Sequence, residues 1–107
     1  MGFFKIADLN TITELGDKDK QFFIQAHCEV TEEKNSKGSE AFLVNLVSPF
    51  YLKKKLGNSI ELCRGCLLMN QFSKQNTVAF LQSFIDKKKE KIWDELSTYV
   101  EKFFDWI

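Results

Sequence analysis

The chain has 107 residues, 44% apolar and 28% charged, with fifteen basic residues against fifteen acidic ones. That is one domain with a single core, and the apolar share excludes a disordered polypeptide. The charge balance counts against general nucleic-acid binding, and no stretch reaches the ~20 apolar residues needed to cross a bilayer.

Residues 2–8, "GFFKIAD", read as a short edge strand, and residues 9–19 as a polar connection. The clearest signal follows. In "QFFIQAHCEVT", Phe22, Ile24, Ala26, Cys28 and Val30 alternate with Gln21, Phe23, Gln25, His27 and Glu29. Strict period-two alternation is a strand with one buried face. Residues 32–40, "EEKNSKGSE", form a polar hairpin loop. "AFLVNLV" resumes the strand pattern, with Phe42, Val44 and Leu46 on one face. Its other face is also rather apolar, which predicts a central strand covered on both sides.

"SPFYLKKKLG" carries helix punctuation: Ser48 to cap, Pro49 at the first helical position and Gly57 to terminate. A short helix over 49–56 follows, and Lys53, Lys54 and Lys55 suit the negative pole of its dipole. "GCLLMNQF" reads as a fourth strand. Val78, Leu81, Phe84 and Ile85 then recur at helical spacing behind Ser73 or Asn76 as cap. In "EKIWDELSTYVEKFFDWI", Trp93, Leu96, Val100 and Phe103 do the same in a second long helix. Strands early and helices late predict an α+β fold: a small, mainly antiparallel sheet of about four strands with three helices, the two longer ones C-terminal and packed on one face.

Cys63 and Cys66 stand in "ELCRGC" at Cys-x-x-Cys spacing. A structural zinc needs four ligands. The further donors, His27 and Cys28, are neighbours on a strand and point to opposite faces. Thiol-redox chemistry wants such a pair at a helix start, whereas this one leads into a strand. The pair reads first as two small side chains beside a turn at Gly65, with a small redox or redox-sensing protein using Cys63 and Cys66 as the alternative. There is a single histidine and no glycine-rich phosphate loop, so no catalytic constellation and no cofactor site emerges. Three cysteines and an opening without a signal-peptide run point to a cytoplasmic setting.

From Gly38 onward the order of features resembles immunity protein family eight of bacterial polymorphic toxin systems. "GSEAFLVNLVSP" looks like that family's strand ending in Ser-Pro or Thr-Pro. "FYLKKKL" resembles its short helix, "GCLLMNQFS" its Gly-x-Leu-Leu strand, and "WDEL" with Trp106 its closing helix and tryptophan. The resemblance implies a non-enzymatic cytoplasmic protein that binds and neutralises a cognate toxin domain encoded beside it. On that reading Pro49, Tyr51, Leu52, Gly65, Trp93 and Glu95 are structural motif positions. Toxin contacts are expected among Glu32, Glu33, Glu40, Asp94, Glu101, Asp105 and Trp106; the acidic ones are chosen for the case of a basic nuclease, whose phosphate ligands they would imitate, since the family does not fix the toxin's activity. Neither nucleic acid nor membrane is an expected partner, and the sequence carries no sign of oligomeric state.

Overall fold

The alternation in "QFFIQAHCEVT" is the axis on which the fold is built. The computed structural model describes residues 4–17, 21–32, 39–60, 64–87 and 92–107. Strand β2 (Gln21–Glu32) lies antiparallel between β1 (Phe4–Asp17) and β3 (Ser39–Val47). Phe22, Ile24, Ala26, Cys28 and Val30 are fully buried, as are Phe42, Val44 and Leu46 of β3. Burying each of the Phe, Ile, Val and Leu side chains among these contributes roughly 1.5–3 kcal/mol, so this face is a main source of stability.

The core face is roofed by α2 (Lys74–Asp86) and α3 (Trp93–Glu101) through Leu81, Ile85, Leu96 and Val100. The architecture is α+β, with the two longest helices C-terminal and on one face, as the sequence predicts. Gln82 of α2 also reaches the outer edge of β1. Its Oε1 accepts from the Ile6 N–H at 2.8 Å and its Nε2 donates to the Phe4 carbonyl at 3.1 Å. A side-chain amide thus satisfies backbone groups that an edge strand would leave open.

Helix α1 (Pro49–Leu56) starts and stops where its punctuation says. Ser48 Oγ accepts from the Tyr51 N–H, and Gly57 closes the helix at φ +53°. The same Oγ accepts from the Phe22 N–H at 3.0 Å, while the Ser48 N–H donates to the Phe22 carbonyl at 3.1 Å. One buried serine therefore joins β2 to α1. Tyr51 stacks on Phe23 with 6.1 Å between ring centroids, and the Lys55 ammonium stands 5.6 Å from the Phe23 centroid.

Several expectations are corrected. Residues 9–17 are not a connection but the continuation of β1, which bends through irregularities between Ile6 and Asp8 and between Thr11 and Thr13. The fourth strand, β4, spans only Cys66–Leu68 and runs parallel to β3. A fifth strand, β5 (Asp105–Trp106), pairs antiparallel with β3 at Phe42 and Leu43. It occupies residues the sequence reading gives to the last helix, which ends at Glu101. β3 is central but only partly covered on its second face: Ala41, Leu43 and Asn45 are half-buried on the side away from the long helices, and only Val47 at its end is buried there.

Candidate functional site

Among the described residues no group of three or more His, Cys, Asp or Glu side chains could hold a metal ion. His27 and Cys28 occupy opposite faces of β2, His27 half-buried and Cys28 in the core. Burial pushes the Cys28 thiol up to about 12, so it stays protonated and unreactive. Cys66 is half-buried and disulfide-bonded, which corrects its reading as a plain small side chain. It opens strand β4, not a helix, so no helix N-terminus is there to activate a thiol. Cys63 lies outside the described residues.

The acidic residues fall into two groups. Glu32 ends β2 directly opposite Phe4, and Glu40 near the start of β3 is opposite Val30. The Phe4 ring lies 4.8 Å from that of Trp93, the neighbour of Asp94. The hairpin acids and the start of α3 thus lie toward the same end of the sheet, although more than fifty positions separate them in sequence. Glu40, Asp94 and Glu95 are exposed there and Glu32 is half-buried. Asp94 and Glu95 also stand in the first turn of α3, where a helix dipole favours negative charge. Glu33 lies outside the described residues.

Glu101 and Asp105 belong to a second corner, organised by Arg64. The Arg64 Nε donates to Asp105 Oδ1 at 2.8 Å, and its Nη2 donates to the carbonyls of Glu101 and Phe104, the latter at 3.0 Å. Arg64 therefore caps the carbonyl end of α3 and partly neutralises Asp105. Its importance is not legible in the sequence, where it is merely the residue between two cysteines. Gly65 beside it has φ +66°, and a Cβ there would stand 3.1 Å from Phe104 Cδ1. Trp106 is half-buried. Its indole N–H donates to the Ser97 carbonyl at 3.2 Å and its ring meets Phe42 edge-on at 5.6 Å. Pro49 is exposed at the start of α1, with Tyr51 and Leu52 half-buried behind it.

Next to the Arg64 corner lies a hollow of about 890 Å³ between β4 and the C-terminal ends of α2 and α3. Leu67, Phe84, Tyr99 and Phe104 line it, with Lys87 and Lys102 at its margin. A smaller hollow of about 280 Å³ shares Leu67 and Phe80 with it and continues between β4 and α2. The two make one apolar trough. Sequence reasoning places Phe84 and Phe103 on core stripes and so misses it. The structure leaves Phe103 46% exposed and buries Phe104 instead, because α3 ends two residues earlier.

The family model for Immunity protein 8 matches residues 4–107. Comparison with curated proteins and with solved structures returns no match.

Proposed function

Because this chain belongs to the Immunity protein 8 family, an immunity-protein family of toxin systems, we propose that it binds and neutralises a cognate bacterial polymorphic toxin and so protects the cell that makes it. The observation that carries this reading is the family match along residues 4–107. The chemistry of the fold accords with it. Core formation uses the apolar side chains, the Cys28 thiol is buried, and the acidic groups lie on the surface. Inhibition by such a surface is steric and electrostatic, with no turnover of its own, and takes place in the cytoplasm.

A stable complex of this kind buries about 1,200–2,000 Å² in total. Glu32, Glu40 and Asp94, which lie toward one end of the sheet, are the first choice for the contact with a basic toxin surface; Glu33, Glu101, Asp105 and Trp106 are the remaining candidates. Acidic groups there speed encounter with a basic surface and, if the toxin is a nuclease, would replace the phosphates of its substrate.

The test is co-expression with the toxin domain encoded in the neighbouring reading frame. Growth is expected to be restored by this chain, and the two proteins are expected to co-purify. Toxicity undiminished by the chain would refute the function. Reversing Glu32, Glu40 and Asp94 to lysine should weaken the complex at least tenfold; unchanged affinity would remove that end from the interface.

A further inference from the structure

We propose that the trough between β4, α2 and α3 is a second docking surface, which takes an extended acidic segment of the partner protein carrying an apolar side chain. The proposal rests on the toxin-binding reading and adds to it the chemistry of one part of the partner.

The floor of the trough is aromatic and open. Phe80 is 56% exposed and Phe103 46%, and Leu68 at the near edge is 63% exposed. Large apolar side chains that remain this open side by side mark an interaction surface more often than a closed small-molecule site. The shape also suits a chain segment. Two hollows of about 890 and 280 Å³ join end to end through Leu67 and Phe80, along a strand rather than around a point. Among the described residues β4 pairs with β3 alone. In a parallel ladder alternate residues turn their backbone groups outward, so Leu68 offers an N–H and a carbonyl to an added strand.

Charge selects the segment. The margin carries Lys87, Lys102 and Arg64, and among the described residues no acidic side chain lines either hollow. Lys87 and Lys102 are the C-cap residues just past α2 and α3, and neither has an ion pair among the described residues. At α3 the carbonyls that would attract a lysine are already met by Arg64, whose guanidinium binds those of Glu101 and Phe104. Among the described residues the Lys102 ammonium is thereby left for an outside anion. An aromatic floor with two lysines that form no ion pair among the described residues fits an apolar side chain flanked by carboxylates.

The experiment measures affinity for the purified toxin domain by calorimetry at two salt concentrations. The Lys87→Glu, Lys102→Glu double variant is expected to bind at least tenfold more weakly and with reduced salt dependence. Phe80→Ala should weaken binding several-fold. Lys53→Glu, Lys54→Glu on α1 makes the same change in net charge and is expected to bind like the wild type. Equal affinities for both double variants would overturn the proposal and leave the function standing. A groove variant that alters self-association in light scattering but not toxin affinity would also overturn it, with a second copy as the occupant. Absence of toxin binding by the wild type would bring down both readings.

Discussion

Ser48 is the most economical place to test whether the fold is held as described. Its Oγ accepts from two backbone donors, Phe22 N–H in the sheet and Tyr51 N–H in the first turn of α1. Ser48→Ala removes both. Loss of a helix N-cap costs about 1 kcal/mol. The buried Phe22 N–H is left without an acceptor, which adds roughly 1–3 kcal/mol. The sum is about 2–4 kcal/mol, equivalent to a fall in melting temperature of about 9–18 °C for a domain of this size. Ser73 supplies the control. It caps α2 by one bond to the Asn76 N–H at 3.2 Å, at an exposed site, so Ser73→Ala should cost about 1 kcal/mol. Urea unfolding reads both, and the midpoint should shift with an unchanged slope. If Ser48→Ala proved no worse than Ser73→Ala, the coupling of α1 to β2 through this hydroxyl would be wrong.

Cys28 makes stability depend on alkaline pH. Its folded pKa is raised from 9.0 to about 12 by burial, so the advantage of the folded state is intact below pH 9 and lost as pH climbs toward 12. Urea unfolding from pH 8 to 11 should show a shallower loss for Cys28→Ala than for the wild type; parallel curves would contradict the burial. Gly65→Ala forces a Cβ into a left-handed backbone and against Phe104, and should cost about 1–2 kcal/mol by thermal melting. Trp106→Phe keeps the ring against Phe42 but drops the indole bond to Ser97, for a loss of about 1 kcal/mol, and Trp106→Ala should lose at least twice that.

The parts of the fold that sequence reveals are those decided locally. The two-residue alternation of β2 depends only on its own side chains, and the Ser48, Pro49 and Gly57 punctuation of α1 acts within a few bonds. The Ser73 cap is legible for the same reason. What escapes is set by partners far along the chain. Residues 9–17 are polar enough to read as a connection, yet β2 offers a full ladder for them to pair with. Asp105 and Trp106 follow a helical stripe, but β3 has an open edge at Phe42 and Leu43 that captures them. The acidic residues are visible singly as charges. That Glu32, Glu40 and Asp94 share one end depends on the Phe4–Trp93 contact, which no periodicity announces. Arg64 and the trough escape because they arise from how three elements end, not from any motif.

The far side of β3 has a kinetic consequence. β4 and β5 lie end to end along it, one arriving after α1 and the other only after α2 and α3 are in place. Strands β1, β2 and β3 meet through hairpins and can zip early, whereas the closing piece must wait for a loop of about sixty residues to be drawn shut. Refolding should therefore end with the seating of Trp106, and native-state exchange should begin there, at the backbone amide of Ile107 that reaches back to Ala41.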